Sequence, residues 1–76
     1  MRINNDLIKN NFGKTLIYLR NEKNVGQVEL ATAIGVSKGC ISLWENVLRE
    51  PTLTSLISLA QYFDVTLDEL VGLKND

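Results

Sequence analysis

The 76-residue sequence has no histidine, one cysteine, one proline and one tryptophan. Each scarcity closes a route. Without imidazole there is no side chain that titrates near neutral pH unaided, and no His-containing metal site. A single thiol, Cys40, makes neither an internal disulfide nor a thiolate cluster, which suits a reducing cytoplasm better than a secreted scaffold. No apolar run approaches the ~20 residues that span a bilayer, and no signal-peptide pattern opens the chain, so no membrane partner is expected. A chain this short buries only about 60% of the surface it exposes when unfolded, which leaves little room for a deep pocket. Catalysis would have to rest on carboxylates, lysines or hydroxyls. Neither an enzyme nor a cofactor, a metal or a small-molecule ligand is expected.

What is present is charge divided along the chain. The net charge is −1. Residues 1–49 carry seven basic side chains against four acidic ones, whereas residues 50–76 carry Lys74 alone against five acids. An anionic partner should therefore meet the first two-thirds.

Apolar residues recur at helical spacing throughout, with no strand pattern. Ile8, Phe12, Leu16 and Leu19 form one stripe of a first helix from about Asn5 to Lys23, broken by Val25 and Gly26. A second helix, Gln27 to Ile34, buries Leu30, Ala31 and Ile34, and Gly35 closes it in the left-handed conformation. Ser37 caps a third, residues 38–45, with its side-chain oxygen. Thr52 caps a fourth that runs to about Phe63 with Leu53, Leu56, Leu59, Ala60 and Phe63 inward. Thr66-Leu67-Asp68-Glu69 has the capping-box form and starts a short fifth helix through Leu70 and Val71, with Leu67 and Leu70 in the core. The expectation is one all-α domain over residues 1–76, its core about 5–73, fraying from about Lys74.

The window Gln27 to Trp44 meets several demands at once. A tight turn, Ile34-Gly35-Val36-Ser37, sets two short helices near a right angle. Ala31 is small where the backbones approach, and Gly35 supplies the positive φ. Leu30, Ile34, Val36, Ile41 and Trp44 turn inward. With FGKTLIYLRNEKN before it and PTLTSLISLAQYFDVTLDELVG after it, this window resembles the helix-turn-helix domain of phage Cro/repressor (XRE-like) type, over about residues 12 to 72. The resemblance implies a compact five-helix, lambda-repressor-like fold. It implies a transcriptional regulator, repressor-like and of phage or prophage origin, that places its third helix in the major groove of a double-stranded operator as a dimer. Carried over by position, it implies that Gln27 contacts phosphate and braces the reading helix. Ser37, Lys38, Gly39, Ser42 and Leu43 lie at the start and outward positions of that helix, Asn46 sits where the following backbone nears phosphate, and Arg49 is a nearby cation. Arg20 and Glu45 match a pair that ties the first helix to the end of the third; the alternative is two independent solvated charges.

The departures from the family pattern fall on the DNA-facing side. Gly26 replaces a capping Ser, Thr or Asn. Val47 and Leu48 stand where a glycine and a basic residue are common, and Thr15 and Ile17 where basic residues often occur. The reading face is lean, since Lys38 and Ser42 are its polar groups and Leu43 offers apolar contact. Cys40 reads as a small filler at the rim of the turn, with redox sensing as the alternative. A rival reading of the whole takes Leu43, Val47 and Leu48 as an exposed apolar rim that docks a protein. A weak homodimer is expected through the region after the fourth helix, with Tyr62, Leu67, Leu70, Val71 and Leu73 as candidates; Ile17 and Tyr18 offer a second surface.

Overall fold

A computed structural model describes residues 5–73, with side chains from Leu7 onward. The expected fraying from Lys74 lies outside the described residues. The chain forms α1 (Asn5–Lys23), α2 (Gln27–Ile34), α3 (Lys38–Glu45), α4 (Leu53–Phe63) and α5 (Leu67–Val71), all around one core.

The starts of the helices follow from capping chemistry. Ser37 accepts from the Cys40 amide, Thr52 from the Ser55 amide and Thr66 from the Glu69 amide, and Glu69 returns the bond to complete the capping box. Each cap satisfies an amide that the helix itself leaves orphaned. Gly26 holds the extended capping geometry at α2 without a side-chain bond.

All five helices end in one way. An amide donates to the carbonyl five residues back, across a residue of positive φ: Val25 to Arg20, Val36 to Ala31, Leu48 to Leu43, Val65 to Ala60 and Leu73 to Asp68. The left-handed residues are Asn24, Gly35, Val47, Asp64 and Gly72. Glycine, asparagine and aspartate tolerate this conformation, whereas a β-branched residue resists it. The break after α1 is thus made by Asn24, not Gly26, and Val25 tucks into the core.

Leu16, Leu30, Ile41, Trp44, Leu59 and Leu70 are fully buried. Burying each such side chain contributes about 1.5–3 kcal/mol before chain entropy is set against it. Phe12 meets the edge of Trp44 with ring centroids 6.3 Å apart. Two expected core residues face solvent instead. Leu53 is 69% exposed and Leu67 is also exposed, because each is the first residue of its helix and points away from the stripe that follows.

Gly13 brings α1 against the end of α3. A Cβ there would lie 3.0 Å from the Glu45 carbonyl oxygen, 3.2 Å from that of Trp44 and 3.2 Å from a Val47 methyl. A side chain there would be tighter than ordinary contact, so the end of α3 would have to give by a few tenths of an ångström. The close approach fixes where α3 sits on α1.

Candidate nucleic-acid interface

The buried side of α3 is Ile41 and Trp44; Cys40 packs at its edge as the expected filler. The opposite side begins with Ser37, Lys38 and Gly39, all exposed, and continues with half-buried Ser42 and Leu43. Asn46 and Arg49 are exposed beyond the helix. Ser37, Lys38, Gly39, Ser42 and Leu43 therefore lie on or beside one ridge, and Arg49 lies in the loop at its end.

The ridge is anchored from behind by Glu45. Its carboxylate accepts from Arg20 Nε at 2.6 Å, from the second guanidinium nitrogen at 3.2 Å and from Gln27 Nε2 at 2.9 Å. Arg20 also donates to the Val25 carbonyl at 3.0 Å. Three helices are thus joined at one carboxylate, and Arg20 ties the first turn to them. The side chains of Arg20 and Glu45 are only 16% and 5% exposed, so this is a desolvated bidentate pair. Its hydrogen bond to Glu45 raises the Arg20 pKa above the ordinary guanidinium value, against the lowering effect of burial. Gln27 braces α3 from the first position of α2 while remaining half-exposed.

Asn46 caps the other end of the ridge. Its amide nitrogen donates to the Ser42 carbonyl at 2.8 Å and reaches the Ser42 hydroxyl at 3.4 Å.

The cations divide into engaged and available. Arg20 is held by Glu45, Lys9 pairs with Glu50 at 3.3 Å, and the Lys23 ammonium sits 5.1 Å from the centre of the Tyr62 ring. Among the described residues this leaves Lys14, Lys38 and Arg49 exposed and outside these pairings.

Two expectations about apolar surface are corrected. Leu43, Val47 and Leu48 do not make an exposed rim. Leu48 is 74% exposed, but Leu43 and Val47 are half-buried, and Val47 turns toward Gly13 and a shallow groove beside Ile8, Phe12 and Leu56. Leu70 is 0% exposed and has no surface to offer a second copy. Tyr62 and Val71 are half-buried, Tyr62 edge-on to Phe63 and under Lys23, so of the five dimer candidates Leu67 and Leu73 are the openly exposed ones. Leu53 and Ile57, not among those candidates, are exposed on α4.

Sequence reasoning missed Gly13, Val47 as a left-handed residue and the Lys9–Glu50 pair. A glycine inside a helical stripe hints at a packing reason without showing which element approaches. The other two carry no local signal.

The family profile described as helix-turn-helix matches residues 16–70. The chain is 40% identical over 61 residues to the HTH-type transcriptional activator BcrR of Enterococcus faecalis, covering 80% of this chain and 30% of that protein. It is 39% identical over 57 residues to the HTH-type transcriptional regulator AnsR of Bacillus subtilis, covering 75% and 49%. The chain thus spans half or less of the length of these two relatives. Among solved structures, the restriction-modification controller protein C.AhdI of Aeromonas hydrophila superposes with a TM-score of 0.74 at 32% identity, over 86% of this chain and 96% of that one.

Proposed function

This chain belongs to the Cro/repressor-type (XRE) helix-turn-helix family, and from that membership we propose that it is a sequence-specific, DNA-binding transcriptional regulator, repressor-like, that docks α3 in the major groove of an operator as a dimer. The observation that carries this reading is the asymmetry of α3. Ile41 and Trp44 lock one side into the core, Glu45 is clamped by Arg20 and Gln27, and the side that starts at Lys38 is free of the globule. A helix held this way presents its N-terminal residues to base edges without reorganising.

Lys38 and Arg49 are the cations suited to anchor phosphate, with Lys14 a third, and Gln27 and the backbone around Asn46 add neutral contacts. A dimer would then neutralise ~4–6 phosphates, which gives a log–log slope of affinity against salt of roughly −4 to −5. Gel-shift titration across salt concentrations measures it, and a slope near zero contradicts phosphate anchoring by these residues. Dimerisation would use the exposed aliphatics Leu53, Ile57, Leu67 and Leu73 and set the two α3 ridges roughly 34 Å apart on one face of the duplex. Such a protein acts where the DNA is, in the cytoplasm, where the thiol of Cys40 stays reduced.

A further inference from the structure

We infer that Gly39 and Leu43 form a notch on the outward side of α3 that receives the C5 methyl of a thymine, so that Gly39 determines specificity through the side chain it lacks. The inference rests on the DNA-binding reading above and names one base-edge group that this face takes.

Two residues on the outward side of α3 are left unexplained by the fold. The first is Gly39. Gly13 is set by the approach of α1 to the end of α3, and Gly35 and Gly72 by positive φ. Gly26 is the extended N-cap of α2, where glycine loses only a little to serine. Gly39 answers none of these demands. It is exposed in the first turn of α3, and a Cβ built on it would meet only the Ser37 hydroxyl oxygen, at an ordinary 3.8 Å. Alanine would fit there and would favour the helix, because glycine gives up more backbone freedom on folding. The second is Leu43. It is half-buried, yet it belongs neither to the core cluster nor to the partly buried apolar residues packed against it.

The two are four residues apart and so share one face of α3, and a helical side chain leans over the turn before it. Leu43 therefore stands beside the bare backbone of Gly39. It does not fill the space, since no Leu43 atom lies within 4 Å of the Cβ position at Gly39. What remains is a gap that a methyl group can enter, with a backbone floor and an aliphatic wall. In the major groove the protruding apolar group on a base edge is the C5 methyl of thymine. Covering it removes apolar surface from water on both partners. The notch excludes no base by hydrogen bonding, and Lys38 and Ser42 stay free to donate or accept beside it. It discriminates by fit: uracil or cytosine leaves it empty.

The test begins with selection of bound sequences from random duplexes with the full chain. Each thymine of the selected half-site is then replaced by uracil, one at a time, which removes the methyl and nothing else. One replacement should lower wild-type affinity about fourfold per half-site. Gly39→Ala puts a protein methyl where the thymine methyl goes. It should bind the thymine duplex about tenfold more weakly than the wild type does. It should bind the uracil duplex at least as well as the wild type does, so the preference at that one position reverses. The same variant should unfold at an equal or higher urea concentration, which separates a lost contact from a lost fold. Leu43→Ala removes the wall and should narrow the thymine preference at that position to less than about twofold, with the helical circular dichroism unchanged. If Gly39→Ala unfolds more readily, the Leu43→Ala comparison decides alone. Equal wild-type affinity for thymine and uracil at every position overturns the notch. So does a Gly39→Ala variant that keeps the wild-type preference, or one that loses both duplexes alike, the pattern of a helix backbone lying against sugar or phosphate. In each of these cases the retarded band leaves DNA binding standing. No enrichment and no retarded band at low salt removes the DNA-binding reading and the inference with it.

Discussion

Breaking the Arg20–Glu45 pair leaves a nearly buried carboxylate with Gln27 as its sole remaining side-chain partner among the contacts described. Removing one member of such a pair costs about 3–5 kcal/mol, whereas replacing both with apolar groups of similar volume is often close to neutral. Arg20→Met should therefore destabilise by about 2–4 kcal/mol, with Gln27 offsetting part of the loss, and Arg20→Met with Glu45→Met should recover most of it. Urea unfolding followed by the fluorescence of Trp44 measures both; equal losses in the single and double variants would show that the pair is not coupled. Gly13 makes the opposite kind of residue-scale demand. Alanine would add about 1 kcal/mol of helix propensity. Its methyl, however, would press on two backbone carbonyl oxygens that cannot move without shifting α3, an overpacking that costs about 1–3 kcal/mol. Gly13→Ala should lower the melting temperature, and a rise would mean that α3 is not pinned to α1 there. The Arg20–Glu45 link is legible from the resemblance and is found where it was expected. The role of Gly13 is not, because it depends on which two helices cross at that point.

At the scale of the element, α3 closes as the other four helices do but with a β-branched residue in the left-handed position. Val47 is the left-handed residue of a Schellman closure, with its amide on the Trp44 carbonyl at 3.2 Å and the next amide on the Leu43 carbonyl at 2.8 Å. Glycine is the usual residue there, and an L side chain pays about 1–2 kcal/mol for the conformation. The Val47 side chain offsets this by packing against Gly13 and the groove beside Ile8 and Phe12. Val47→Gly exchanges relieved strain for lost packing and greater chain freedom in the unfolded state. It should alter stability by less than about 1 kcal/mol in chemical denaturation, much less than Val25→Gly, which empties a buried site without relieving strain. A loss above about 2 kcal/mol for Val47→Gly would show that the valine carries no strain. The caps at Ser37, Thr52 and Thr66 and the glycine closure at Gly35 are local in sequence, and all are found as expected. Leu53 and Leu67 were misread for a related reason: an apolar residue just after a cap fits the stripe by spacing but stands one position too early to face inward.

For the whole molecule, the question is what covers the aliphatics that α4 and α5 leave in solvent. Leu53, Ile57, Leu67 and Leu73 are exposed, and the same stretch of chain carries the exposed acids Glu50, Asp64 and Asp68. If this surface pairs two copies, Ile57→Lys with Leu73→Lys should move sedimentation toward the monomer. It should weaken operator binding at least tenfold and leave the helical circular dichroism unchanged. Unchanged sedimentation of a wild-type dimer would place the interface elsewhere, with Ile17 and Tyr18 on α1 the next surface to change. Leu48, open at the end of α3, stands apart from its half-buried neighbours Leu43 and Val47 and does not extend an apolar face with them.

By itself the sequence determined the five helices, their caps and the turn at Gly35, because capping, left-handed closure and apolar period act over a few neighbouring residues. It also determined which residues line the outward side of α3. The tertiary structure alone decided the rest: that Lys9 is drawn to Glu50 and Lys23 to Tyr62, and that the end of α3 lies against Gly13. Most of these are contacts between elements. Whether a donor or an acceptor is left over for DNA depends on what the fold has first consumed.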